Sequence, residues 1–403
     1  MVSEPAKRPK DRKDRIALAG AELFCQRGYH GVSVDEIAAA VGISGPAVYR
    51  HFPNKYAILV HATRDIVGAL LAATTSQGTL DELLAAVAAV AVGRRRVAGL
   101  YQWEGRYLTR EHRREFGAGL GELVGRLAGP LRALRPRLRD GQAELLVDAA
   151  LSAFGSVTTH RGTATGAGTA QLLTRVAWTL LRAPPPQLPA PSRDAATTAA
   201  AGPASRRELL LREAIRLFHR HGFHAVAVED IGRAAGMQAS SVYRYFPGKA
   251  DLLAAAYHRA TDRLAGATTS AVAEASDPAD ALRRVVRAYT AFAFGQSDLV
   301  AVYLAENTNL PGADRHRLRG AQRVHVEEWV RLVGTVRPDL PAADARVLVH
   351  AALNVVTDIG RLGGFDRTPG YEAQTAGLAL AVLRAAPDRT PIRSRGSAPF
   401  PIS

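Results

Sequence analysis

The chain has 403 residues, a length that suits two or three domains. Lys and Arg number 52 against 37 Asp and Glu, and the net charge of +15 points to a polyanionic partner, nucleic acid before an anionic membrane surface. A single cysteine, Cys25, excludes an internal disulfide and any CxxC metal site and fits a reducing compartment.

Apolar residues make up 47%, with Ala and Leu prominent and few β-branched runs, so an all-α fold is expected. The N-terminus is charged where a signal peptide carries its apolar run, and no stretch approaches the ~18 apolar residues that span a bilayer. A cytoplasmic protein without a membrane partner is the expectation.

In chain order, residues 1–9 open a basic, flexible arm that continues through Arg12, Lys13 and Arg15. Ile16, Ala19, Leu23 and Phe24 then recur at helical spacing, and Gly28 suits the C-cap. Ser33 can cap a second helix that turns Val34, Ile37 and Val41 inward, and Gly42 supplies a tight turn. A short helix follows over PAVYRHF, with Val48 and Phe52 on one face and Gly45, Pro46, Tyr49 and Arg50 outward. Pro53 stops it, and Asn54-Lys55 opens a fourth helix. The unit 10–70, with its helix-turn-helix over 33–52, is followed by helical pattern over 71–182 that ends in two helices near 142–160 and 168–182. Residues 183–204 are rich in Pro and Ala and read as a linker.

The second half repeats the first. LFCQRGYHGVSVDEIAAAVGISGPAVYRHFPNKYAIL from Leu23 matches LFHRHGFHAVAVEDIGRAAGMQASSVYRYFPGKADLL from Leu217 at an offset of 194, with roughly sixteen identities in about forty positions. Leu210, Ala214, Leu217 and Phe218 repeat the first helix; Val228, Ile231 and Ala235 repeat the second. Downstream the offset becomes 202, which aligns Tyr101 with Tyr303, Glu104 with Glu306 and Ala150 with Ala352. The second unit is expected over 205–264, with its helix-turn-helix over 227–246. Helical pattern over 265–387 follows, with closing helices near 342–362 and 371–386, and then a flexible tail over 388–403. A period this long marks duplication of a whole domain.

A helix, a turn and a short helix with polar and aromatic residues outward is the arrangement that places a reading helix in a major groove. On about ten positions, both copies resemble the N-terminal domain of TetR/AcrR-type transcriptional regulators, whose pattern of apolar-Phe, Gly-Tyr/Phe, Thr/Ser-x-x-x-Ile-Ala, Gly-Val-Ser and Leu-Tyr-x-Tyr/His-Phe-x-x-Lys they match nearly throughout. The tandem arrangement is similar to the two-repeat TetR regulators of mycobacteria and their relatives that control lipid-uptake (mce-type) operons. The resemblance implies that Ser33 and Lys55 contact phosphates, that Ser44, Gly45 and Pro46 enter the groove, and that Tyr49, Arg50 and His51 line the reading face. In the second copy it implies the same for Gln238, Ala239, Ser240, Ser241, Tyr243, Arg244, Tyr245 and Lys249. Ala227 stands in place of Ser33 and lacks its hydroxyl.

Beyond the heads no Walker loop, GxSxG, HExxH or dinucleotide fingerprint is found, so neither an enzyme nor a cofactor is expected. His219, His221 and His224 lie close together without a carboxylate or Cys partner, and no metal site is expected there. The resemblance implies a helical ligand-binding and dimerisation domain in each copy. Candidate ligand contacts are Tyr101, Trp103, Glu104, Arg106 and Tyr107 in the first copy and Tyr289, Phe292, Tyr303, Glu306, Asn307 and Trp329 in the second. The matching glutamates suit a structural hydrogen bond better than a ligand contact, and the denser aromatic set favours a lipophilic effector in the second copy. The expected function is a repressor released from double-stranded operator DNA by that effector, acting as a monomeric pseudo-dimer or a homodimer. Because the two reading helices differ, the operator is expected to be asymmetric. The alternative is a small-molecule-binding or scaffold protein whose heads have lost DNA binding.

Overall fold

The computed structural model describes residues 9–75, 78–158, 166–184, 186, 188, 205–306, 309–366 and 369–385. Residues 1–8 of the expected arm (1–9), most of the expected linker (183–204) and the expected tail (388–403) lie outside them, as do Asn307 and the side chain of Trp103. Among the described residues every regular element is a helix, as the composition implied.

The first head consists of α1 (Pro9–Arg27), α2 (Val34–Ala40), α3 (Gly45–Tyr49) and the start of α4 (Lys55–Ala73). Its regulatory part continues through α5 (Leu80–Gly93), α6 (Leu100–Glu104), α7 (Arg110–Leu134), α8 (Gln142–Gly155) and α9 (Ala167–Leu181). The second copy repeats the order as α10 (Arg206–His221), α11 (Val228–Ala234), α12 (Ala239–Tyr243), α13 (Lys249–Ala273), α14 (Pro278–Gly295), α15 (Ser297–Glu306), α16 (Gly312–Val336), α17 (Ala342–Leu362) and α18 (Pro369–Leu383). The offset between copies grows in two steps. It is 194 at Lys55 and Lys249, 198 at the N-caps Thr79 and Asp277, and 202 at Tyr101 and Tyr303.

Each head closes on its own small core. Ile16, Phe24, Ile37, Val48, Phe52 and Ile58 are buried in the first, and Leu210, Phe218, Ile231, Val242, Phe246 and Leu252 in the second. Each such side chain stabilises its head by about 1.5–3 kcal/mol. Ser33 caps α2 in a full capping box: its Oγ accepts from the Glu36 N–H at 3.2 Å, and Glu36 accepts from the Ser33 N–H at 2.7 Å. At Ala227 only the return bond survives, from its N–H to Asp230 at 3.0 Å. Gly42 and Gly236 turn the chain with φ of 71° and 66°, a left-handed conformation that costs glycine little.

One element departs from the sequence expectation about apolar stretches. α4 is long and apolar enough to cross a bilayer by length and composition. Its Ile58, Leu59, Ile66 and Val67 are buried inside the protein, and its charged residues pair outward: Arg64 with Glu115 at 2.8 Å and Asp65 with Arg94. It is the central helix of a folded unit, shared between head and regulatory part.

The regulatory parts of the two copies share one core, which runs without interruption from Leu84, Leu127 and Leu146 to Val286, Val333 and Leu348. α8 packs on α17, and α9 and α18 flank them. These four helices match the expected closing pairs of each copy. At the centre, equivalent positions meet: Asn354 Nδ2 donates to the Ser152 carbonyl at 2.8 Å, and residues 152 and 354 occupy the same place in the two copies.

Candidate nucleic-acid interface and ligand site

The reading helices α3 and α12 are anchored by Val48 and Val242, 1% and 0% exposed, whereas Tyr49 and Tyr243 are 55% and 50% exposed. An exposed tyrosine beside an exposed Arg50 or Arg244 offers a ring, a hydroxyl and a guanidinium to a groove. Ser44, Pro46, Gln238, Ser240 and Tyr245 are exposed with them, while His51, Ala239 and Ser241 are half-buried on the flanks. Lys13 and Arg207, at equivalent positions, lie over the rings of Phe52 and Phe246 at 5.3 and 5.0 Å, so each first helix is clamped to its reading helix by a cation.

Two expectations are corrected. Gly45 is buried, because α2 presses on it: a Cβ built there meets the Asp35 carboxylate at 2.0 Å. It is a close-approach glycine and does not face outward. Lys55 and Lys249 turn inward as well. Lys55 Nζ donates to the carbonyls of Tyr29 and Val32, both at 2.8 Å, and lies over the Tyr29 ring at 4.4 Å. Lys249 Nζ donates to the carbonyls of Phe223, His224 and Val226 at 2.8, 3.3 and 3.0 Å. An ammonium has three N–H groups, so Lys249 has none left for a phosphate; these lysines staple the turn that aims the reading helix.

Among the first copy's candidate ligand residues, Arg106 joins the two copies and Glu104 ties the regulatory part to its own head. Glu104 and Glu306, both buried, accept from equivalent backbone N–H groups, those of Tyr29 at 3.0 Å and Phe223 at 3.1 Å. That is the structural hydrogen bond the matching glutamates suggested. Burial raises the Glu104 carboxyl above its ordinary range, and the Tyr29 N–H and Arg106 oppose that shift. Arg106 crosses between the copies to Glu306 at 2.8 Å, and it donates to the Tyr107 hydroxyl at 2.7 Å. His30 and His224, again equivalent, meet with ring centroids 4.8 Å apart. Tyr101 packs edge-on against Phe116.

The second copy gathers a different set. Tyr289 contacts His325 and Trp329, with ring centroids at 5.9 and 5.7 Å, and Tyr303 meets Tyr257 at 5.1 Å while its hydroxyl donates to Gln322 at 3.0 Å. Tyr257 Oη, His325 Nε2 and Trp329 Nε1 are buried without a hydrogen-bond partner among the described residues. Burial holds the His325 imidazole at about 4, hence neutral at pH 7. Phe292, one turn after Tyr289 on α14, is half-buried. His325 and Tyr257 were missed in the sequence. The signal was comparison between the copies, where Leu123, Leu127 and Thr63 stand in place of His325, Trp329 and Tyr257.

The family profile of bacterial regulatory proteins of the tetR type matches residues 16–62 and 210–256. Over 87 residues the chain is 34% identical to the HTH-type transcriptional activator FasR of Mycolicibacterium smegmatis, covering 20% of this chain and 40% of that protein. Over 58 residues it is 36% identical to the uncharacterized HTH-type transcriptional regulator YerO of Bacillus subtilis, covering 14% and 20%. The chain thus spans less than half the length of these curated relatives. The solved tetR-family regulator PfmR from Thermus thermophilus is similar at 22% identity and a TM-score of 0.40, covering 46% of this chain and 100% of its own. The ketosteroid regulator KstR2 of Mycobacterium tuberculosis is similar at 22% and 0.40, covering 46% and 96%.

Proposed function

The chain carries the N-terminal domain of tetR-type bacterial regulatory proteins twice, and from that premise we propose a ligand-responsive DNA-binding regulator of transcription in which one chain supplies both reading heads. The observation that carries the reading is the pair of tyrosines, Tyr49 and Tyr243, held half-exposed on anchored short helices at equivalent places in both copies. Ser44, Pro46, Arg50 and His51 on one side, and Gln238, Ala239, Ser240, Ser241, Arg244 and Tyr245 on the other, are the contacts proposed with operator DNA. Ser33 is proposed to touch a phosphate from its cap.

The effector is proposed to enter the second copy among Tyr257, Tyr289, Phe292, Tyr303, His325 and Trp329. Three buried polar atoms there lack partners among the described residues, and such atoms favour a ligand that completes their hydrogen bonds in an aromatic setting. The first copy has the aliphatic Leu123 and Leu127 in place of His325 and Trp329. Repression with release by the effector is the mode proposed; if effector favours the released state, DNA weakens effector binding by the same factor. FasR is named as an activator, so a reporter assay is read in both directions.

Selection of duplexes from a random pool by the full chain tests the reading. Enrichment of two unlike half-sites about one helical turn apart, or slightly more, is expected. Recovery of a perfect palindrome overturns the single-chain arrangement, and no enrichment overturns DNA reading itself.

A further inference from the structure

A cleft of about 560 Å³ opens between the two copies where the turns after α1 and α10 meet, and it is large enough for a ligand of nucleotide size. Its walls carry His30, Arg106, Arg113, Arg220, His221 and His224. Glu306, which lines it, and Glu104 and Asp298, which are bonded to residues in or next to its walls, already have partners. Glu306 is bound to Arg106 and to the Phe223 N–H, Glu104 to the Tyr29 N–H, and Asp298 to His219 at 2.9 Å. Lys55 and Lys249 add two ammonium groups behind the turns. Arg113, Arg220 and the imidazoles of His30, His221 and His224 are therefore positive or protonatable groups in excess at one opening.

From this juxtaposition we infer that the cleft between the copies binds a phosphate-bearing polyanion. The inference deepens the regulator reading and rests on it only for its effect on DNA. The imidazole of His30 is held below its ordinary range by burial first and then by the neighbouring His224, Lys55 and Arg106. A bound phosphate offsets that repulsion, favours the protonated form of His30, and so binds more tightly as pH falls. Among the described residues no three His, Cys, Asp or Glu side chains are placed to hold a metal. The cleft also touches Glu306 and Arg106, the joint that ties α15 to the second head and to the first copy. An anion competing for Arg106 loosens that joint and changes how the heads are held.

The phosphates come either from a free small molecule or from the DNA backbone between half-sites, and two arms separate them. Calorimetry of the full chain with inorganic tripolyphosphate at pH 6.3 and 7.8 is the first arm. Salt-dependent binding of a random-sequence duplex is the second. Both are run on wild type and on the doubly exposed variant R113Q/R220Q. Tripolyphosphate is expected to bind wild type at least fivefold more tightly at the lower pH and the variant at least tenfold more weakly. In wild type its addition is expected to move the His30 ring resonances towards the protonated form. If tripolyphosphate does not bind but the salt slope for duplex falls by about two in the variant, the DNA backbone is the source. Equal tripolyphosphate binding by the variant, or no binding with an unchanged salt slope, overturns the inference. Since neither arm uses a selected operator, failure of sequence-specific reading is seen separately.

Discussion

A single side chain shows how a reading head is aimed. Lys249 draws three loop carbonyls to one ammonium, and Lys55 draws two, so the turn before the helix-turn-helix is fixed from inside. Gly45 lets Asp35 approach at a distance no Cβ permits. With the head so fixed, the exposed rings of Tyr49 and Tyr243 add little to its core, and their removal affects the partner. Tyr49→Ala and Tyr243→Ala are each expected to weaken operator binding by about 1–3 kcal/mol while leaving the thermal midpoint unchanged. Fluorescence anisotropy on the selected duplex checks this, and unaltered affinity in both variants would remove the assigned faces.

Helix α8 meets α17 through a polar set inside an apolar core. Asp358 accepts from Gln102 at 2.7 Å, Ser152 at 2.8 Å and Asn354 at 3.0 Å, so the carboxylate is surrounded by donors from both copies. Burial still raises its carboxyl above the ordinary range. Asp148, one helix turn before Ser152 on α8, is worse placed: burial, then Glu144 and Asp358, push it up to about 6 from 3.8. The folded state therefore holds an extra proton between those values, and stability falls as pH rises through that window and stays lower above it. Asp148→Asn is expected to raise unfolding stability at pH 7.5 by about 1–2 kcal/mol, with the gain vanishing towards pH 4. Urea midpoints across pH measure it; a destabilised variant at neutral pH would mean that Asp148 works as a charged group.

For the molecule as a whole, the consequence lies in the shared core. Regulatory helices of both copies bury a common set of Leu, Val and Ala, and equivalent residues touch at two places, Ser152 with Asn354 and His30 with His224. A chain folded onto itself in this way holds α3 and α12, the two unlike short helices proposed to read DNA, without a second chain. Native mass spectrometry of the complex with the selected duplex is expected to give one chain per duplex. Two chains would mean four heads and a longer footprint.

Much of this was legible in the chain itself. Helical spacing at Ile16, Leu23 and Phe24, the caps at Gly28 and Ser33, and the turn at Gly42 are local signals, set by backbone sterics and burial within a few residues, and the repeat wrote them twice. The direction taken by Lys55, the burial of Gly45, and the work of Glu104 and Arg106 were decided by tertiary structure. Each depends on a partner distant in sequence, such as Val32, Asp35, Tyr29 or Glu306, and no local periodicity records where a distant backbone N–H or carbonyl will stand. The aromatic site of the second copy lay between these cases. Tyr289, Tyr303 and Trp329 were visible, but only the packing of α14 against α16 brought His325 to Tyr289 and Trp329 and left the His325 and Trp329 nitrogens buried.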